Sequence, residues 1–400
     1  MQFSVGLGTQ TRAFFPALIL YASTLFFASY FVEVALLSIF LVVSLVINAN
    51  SAGLKIKRLP FELVTLLSAY VILSIIYVFW KSDHSLVGSN PVLGVTLLTI
   101  MVVSSGLLSK DVLYVFLILC AFESILAVGQ YISGTPYFFD AQLVGRESLN
   151  SSDIYGLYSE KVLGLGYSST QLSAKIIFAL CAFIGKGGKP STALLAILMA
   201  GSLVTFSRAG VLSLSIIVFY LFYARGLIHK FFAVTSAVLV LILFYNYLET
   251  IFLKNNEFSS IFSGELDFSV ILTGRLDIWR QAWDFWLHNF VFGGVGVSQA
   301  FEKVNGEANA HNTFLYILSK GGIFLLIPYL LIMIAIARKV PFLVFISLLL
   351  FSTFGSMFGS YLSYYEVIIF SLLYPSGKGR SISMNKIDTV EVQSLRNVQA

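Results

Sequence analysis

Val112-Leu-Tyr-Val-Phe-Leu-Ile-Leu-Cys-Ala-Phe-Glu-Ser-Ile-Leu-Ala-Val-Gly-Gln-Tyr131 carries a single formal charge, Glu123, in an otherwise apolar or neutral run. As a helix, a run of this length matches the roughly 30 Å hydrocarbon core of a bilayer. Similar apolar runs lie on both sides of it, at about 13–30, 34–49, 61–80, 91–108, 170–185, 191–206, 209–224, 231–250, 313–337, 340–357 and 359–374. Each is long enough, or nearly so, to cross as a helix that satisfies its own backbone hydrogen bonds. The run after Arg12 is too long for a signal-peptide core and is read as the first span.

Composition supports this reading. The 400 residues are 58% apolar and 11% charged, with a mean hydropathy of +0.87. Soluble domains carry roughly 25% charged residues, and no soluble core absorbs this much apolar surface. Soluble, disordered, collagenous and disulfide-stapled classes are therefore excluded. Cys120 and Cys181 both fall inside apolar runs and read as small packing residues, not as a disulfide framework or a thiolate metal site. The net charge of +5 has no basic cluster interleaved with aromatics, so nucleic acid is not an expected partner. The expected fold is an all-α integral membrane protein of about 12 transmembrane helices, with a large extracytoplasmic loop that holds an interfacial helix. Residues 1–375 form the polytopic domain and 376–400 a polar tail.

Basic residues set the expected orientation. Alternate threading gathers Arg12, Lys55, Lys57, Arg58, Lys110, Lys186, Lys189, Arg225, Lys230, Arg338, Lys339 and the tail on one side. The positive-inside rule makes that side cytoplasmic, with both termini on it. The long connections 132–168 and 251–310 are then extracytoplasmic, and the second has more acids than bases. Connections this long are usually functional.

Within the second loop, Leu276, Trp279, Trp283, Trp286 and Phe290 recur at helical spacing. Three indoles on one stripe suit a helix at the membrane–water interface. Arg275, Arg280 and Asp284 lie off the stripe, and Arg280 and Asp284 have the spacing of a simple helical ion pair. A glycine-rich turn, Phe292-Gly-Gly-Val-Gly-Val297, follows. Its backbone can approach a phosphate, but it has neither Rossmann nor P-loop context. Ala308-Asn-Ala-His-Asn-Thr313 then leads into the tenth run, which Lys320-Gly-Gly322 interrupts. His311 at that mouth is either a proton acceptor for a hydroxyl group or a structural, hydrogen-bonded imidazole. Ser207-Arg208-Ala-Gly210 separates two runs. Its guanidinium either holds an anion in an aqueous cavity or caps a helix and snorkels.

The ordered set Ser207-Arg208-Ala-Gly210, Gly274-Arg275 with Trp279 and Ala282, Gly293-Gly294-Val-Gly296 and Ala310-His311-Asn312-Thr313 with its following Gly-Gly resembles the O-antigen ligase/polymerase superfamily. The likeness covers roughly 200–337. It implies an inverting glycosyltransferase on the periplasmic face of the bacterial inner membrane. The donor would be an undecaprenyl-pyrophosphate-linked oligosaccharide. The acceptor would be a lipid-linked glycan for a polymerase, or lipid A core for a ligase. A polysaccharide chain-length regulator and membrane lipids are further expected partners. No cofactor and no metal are expected. By the same resemblance His311 activates the acceptor, while Arg208, Arg275 and Arg280 hold the pyrophosphate. Asn312, Gly294 and Gly296 play supporting parts. Leu325 stands where ligases carry a second glycine, and Arg280 and Gly296 have a polymerase-like spacing, so polymerase is the preferred subtype.

Other residues carry weaker readings. His288 is read as structural, His84 and His229 have no assigned role, and Arg146 pairs with its neighbour Glu147 or joins a phosphate site. Glu123 and Glu366 lie inside apolar runs. Intramembrane carboxylates motivate one rival reading, a proton-coupled transporter or flippase of lipid-linked glycans.

Overall fold

The computed structural model describes residues 7–25, 30–52, 107–135, 137–139, 162–166, 168–226, 229, 232, 275–291, 293, 312–354 and 364–374. They form helices α1 (Leu7–Ala22), α2 (Tyr30–Ala52), α3 (Lys110–Ser133), α4 (Ser169–Gly185), α5 (Thr192–Val204), α6 (Arg208–Tyr223), α7 (Arg275–His288), α8 (Thr313–Ala337), α9 (Phe342–Phe354) and α10 (Tyr364–Phe370). No strand occurs among the described residues. The expected span at 61–80, and nearly all of those at 91–108 and 231–250, lie outside them. So do the loop 251–274, Arg146 and the tail.

Polar residues at the apolar boundaries explain where the helices begin. Ser109, Ser168, Ser191 and Ser207 each accept a hydrogen bond from a backbone amide one turn on, at Val112, Thr170, Leu194 and Gly210. Asn312 does the same for Leu315 at the start of α8. Such caps satisfy amides that have no partner within the helix. The 24-residue α3 is long and apolar enough to cross a bilayer by itself. Its outward stripe, Ile118, Phe122 and Ile125, is about half exposed. That is expected where lipid rather than water covers the surface.

The bundle is organised around α4. Every residue from Leu172 to Ile184 is buried, and α4 packs against α3, α5, α6, α9 and α10. Cys120 and Cys181 are buried free thiols in this core. A helix with no exposed face has no room for an uncompensated charge, yet it holds Lys175.

Lys175 is fully buried, and its ammonium donates to both oxygens of the equally buried Glu123, at 2.9 and 2.8 Å. The Tyr21 hydroxyl donates to Glu123 Oε2 at 2.5 Å, and the Leu165 amide donates to Oε1 at 2.9 Å. The Tyr21 ring centre lies 5.2 Å from the ammonium, close enough for a cation–π contact. Two turns beyond, the Gln130 amide clamps Gly164 through both its backbone groups. This polar knot ties α1, α3, α4 and the segment 162–166 together. It also gives Glu123 a full set of partners, so the carboxylate no longer argues for a transporter.

Breaking such a pair strands the remaining charge and costs about 3–5 kcal/mol, whereas replacing both partners by apolar groups is often nearly neutral. We therefore expect Glu123→Ala to lower the unfolding temperature of the detergent-solubilised protein sharply. Glu123→Ala combined with Lys175→Met should recover most of that loss. An equal loss in the single and double variants would show that packing, not charge, dominates the site.

Candidate functional site

The Ser-Arg turn lies between α5 and α6. Phe206 adopts φ 51°, a left-handed conformation unusual for a bulky residue. Strain of this kind persists only where neighbours over-determine it. Here the Ser173 hydroxyl on α4 lies 2.8 Å from the Ser202 hydroxyl and 3.3 Å from that of Thr205. The Phe206 ring packs on Tyr131 with centroids 5.7 Å apart. Gly210 is pressed against Ser173, and a Cβ there would collide with that side chain. The turn is thus clamped to α4 two residues from Lys175. Ser207 caps α6, and Arg208 is its first residue and half-buried. A guanidinium at a helix N-terminus makes an electropositive end suited to an anion.

The helix α7 occupies the expected interfacial stretch. The face that packs on protein is not the tryptophan stripe. Ile278 and Ala282 are buried against Tyr316 of α8, with Phe285 beside them. Trp283 is exposed, Trp286 is half-buried, and their rings meet at 4.7 Å. Trp286 also donates to the Phe290 carbonyl at 3.1 Å. The indoles thus project away from the core, as the interfacial reading requires. Trp279 alone turns inward, with its ring 6.2 Å from that of Phe354 at the end of α9.

That contact places α7 relative to Arg208. The Ser347 hydroxyl of α9 donates to the Ser213 carbonyl of α6 at 2.6 Å. The two helices are antiparallel, and equal rise per residue brings Phe354 level with the Ser207–Arg208 turn. Arg208 and the helix bearing Arg275 and Arg280 therefore share one end of the bundle. Arg275 opens α7, and the Arg280 side chain is exposed. His288 Nδ1 donates to the Asp284 carbonyl at 2.7 Å within its own helix, in keeping with a structural histidine.

The tenth run is not a straight span. Gly322 has φ 62° and ψ −158°, outside the helical region. Along a continuous helix Phe314 and Tyr329 would sit about 22 Å apart. Their ring centroids are 5.6 Å apart, so the two halves of α8 fold towards each other. The apex rests on the end of α7, where the Ile323 amide donates to the Phe290 carbonyl at 3.2 Å. A Cβ on Gly322 would strike the Val291 carbonyl. The first half of α8 runs beside α7, which brings Asn312 towards the turn that Arg275 opens. Asn312 is buried and spends its side-chain oxygen on the cap.

The structure therefore sets α7 at the same end of the bundle as Arg208, and sets the start of α8, with Asn312, beside α7. His311, Gly294 and Gly296 lie outside the described residues. Lys175, Tyr21 and Gln130 escaped the sequence reading, although a lysine inside an apolar run was a signal for the first of them.

Residues 193–330 match the family model described as O-antigen ligase. No curated protein matches the chain. The matched segment contains the Ser-Arg turn, α7, His311 and the bend of α8. It bears out the likeness to the O-antigen ligase/polymerase superfamily over that segment.

The Gly322 conformation is open essentially to glycine alone. Gly322→Ala should destabilise the protein by about 1–3 kcal/mol. Gly129→Ala, in the open interior of α3, should stabilise it by about 0.5–1 kcal/mol. Thermal unfolding in detergent compares the two. Asn312→Ala should cost about 1 kcal/mol and Asn312→Ser much less.

Proposed function

With the O-antigen ligase-type segment as premise, we propose that the protein is a surface-polysaccharide polymerase of the bacterial inner membrane. It moves a glycan from undecaprenyl pyrophosphate to a hydroxyl group of a second lipid-linked repeat, on the periplasmic face, with both termini cytoplasmic. The observation that carries this reading is the clamped Ser207–Arg208 turn. It holds a half-buried guanidinium at a helix N-terminus, at the same end of the bundle as the interfacial α7.

The reaction needs few groups. His311 takes the proton of the acceptor hydroxyl. The oxygen attacks the anomeric carbon from the face opposite the carrier, and the bond from that carbon to the pyrophosphate oxygen breaks. The electron pair leaves with undecaprenyl pyrophosphate, and configuration inverts. Arg208, Arg275 and Arg280 stabilise the charge that grows on the leaving oxygen, and fixed guanidinium groups do so without reorganising. Asn312, Gly294 and Gly296 shape the loop around the acceptor. The indoles of α7 keep the site at the bilayer edge, where the lipid carrier presents its first sugar.

A second reading is ligase transfer to lipid A core, the activity that the description of the matched model names without separating it from polymerisation. A deletion strain separates the two. Single repeats capped on core mark a lost polymerase, and long polymer left on the carrier marks a lost ligase.

Purified protein in vesicles should lengthen a supplied lipid-linked oligosaccharide without any ion gradient. His311→Ala should reduce transfer by about 10²–10⁴-fold. Arg208→Lys keeps the charge but loses the bidentate fork, and should lower transfer by about 10²-fold. Near-normal transfer by both variants would refute the assignment.

A further inference from the structure

The end of the bundle opposite the Ser-Arg turn holds a cavity of about 2140 Å³. This is several times the roughly 300–1,000 Å³ of ordinary small-molecule sites. Lys110, Lys189, Arg225, Arg338 and Lys339 line it. They arrive from separate corners: the start of α3, the α4–α5 turn, the end of α6 and the α8–α9 turn. Asp111 is the acid among the described lining residues, and His229 lies there as well. None of the five bases makes an ion pair with a carboxylate among the described residues. Bases that served only to orient the chain have no need to converge on one cavity.

Arg225 is already held in place. It donates to the Thr192 hydroxyl at 2.9 Å and to the Pro190 carbonyl, and its guanidinium lies 5.9 Å from the Phe222 ring centre. Below the bases the wall turns apolar. Tyr114, Phe183, Leu221, Met333 and Phe345 come from five different helices, and the cavity reaches inward as far as Phe314. The space therefore has a cationic mouth and an oily interior, both too large for a lone anion.

We propose that this cavity binds an anionic phospholipid of the surrounding bilayer. The bases hold its phosphate and one acyl chain lies along the wall. Basic pockets between membrane helices take anionic headgroups by this chemistry, and long cationic side chains reach a headgroup while their stems cover apolar surface. A zwitterionic lipid would bring its own cation against five others, and a free phosphate would leave the apolar wall exposed to water. The proposal does not rest on the glycan-transfer reading: the five bases stand at the other end of the bundle from the Ser-Arg turn, although Phe314 on the inner wall is two residues from Asn312.

The test uses the full chain purified in a mild nonionic detergent. Native mass spectrometry reads retained phospholipid, and thermal unfolding is followed with added phosphatidylglycerol, phosphatidylcholine of the same acyl chains, or inorganic phosphate. Phosphatidylglycerol should be retained and should raise the unfolding temperature, while the other two should not. The triple variant Lys189→Ala/Arg338→Ala/Lys339→Ala, at exposed positions, should bind phosphatidylglycerol about tenfold more weakly or worse. Its unfolding temperature without lipid should be unchanged. Equal effects of the two lipids, equal stabilisation by inorganic phosphate, or undiminished phosphatidylglycerol binding by the triple variant would each overturn the proposal.

Discussion

The ion pair between Lys175 and Glu123 constrains the whole bundle. Neither side chain touches solvent. A charge in such surroundings must find an opposite charge and fill its remaining hydrogen-bonding capacity, or the fold loses several kcal/mol. Here the carboxylate is completed by Tyr21 and by the Leu165 amide. These partners come from α1, α3, α4 and the segment before α4, so four parts of the chain must arrive together. Hydrophobic packing in a bilayer does not discriminate strongly between helix partners, because lipid tails are as apolar as side chains. Directional polar contacts supply the missing specificity.

The same helix passes this order to the candidate site. Two residues before Lys175, Ser173 meets Ser202 and Thr205 and receives the close approach of Gly210. That contact holds Phe206 in its unusual conformation and aims α6 so that Arg208 stands at its N-terminus. From there the helix pair α6–α9 carries the level of the turn across to Trp279 through Phe354. A charge pair in the core, a strained turn and an interfacial helix are thus linked through direct contacts. The two ends of the bundle differ in kind. One offers a clamped guanidinium beside helical amides, and the other a broad cavity ringed by bases.

Much of this was legible in residue order, because the signals are local. Apolar runs marked the helices. The recurrence of Leu276, Trp279, Trp283 and Trp286 marked a helix, and α7 spans it. The Ser-Arg and His-Asn motifs lie in the segment that matches the O-antigen ligase model. Other features were not legible for equally physical reasons. Glu123 could be recognised as costly, but its partner lies 52 residues away, and no periodicity joins positions on different helices. Lys320-Gly-Gly322 announced an interruption, but only contact with Val291 and Phe290 turned it into a sharp fold of α8. The indole stripe was visible, yet Ile278 and Ala282 form the packed face.

The sequence by itself determined the apolar runs that become the described helices, about where those helices begin, and which residue types stand in the segment that matches the O-antigen ligase model. These follow from hydrophobicity and spacing, which act over a few residues. The tertiary structure alone decided which buried charges pair, which face of α7 meets protein, how far α8 bends, and that five scattered bases line one cavity. Those outcomes depend on distances between helices remote in sequence, and such distances are set only when the packing of the whole bundle closes.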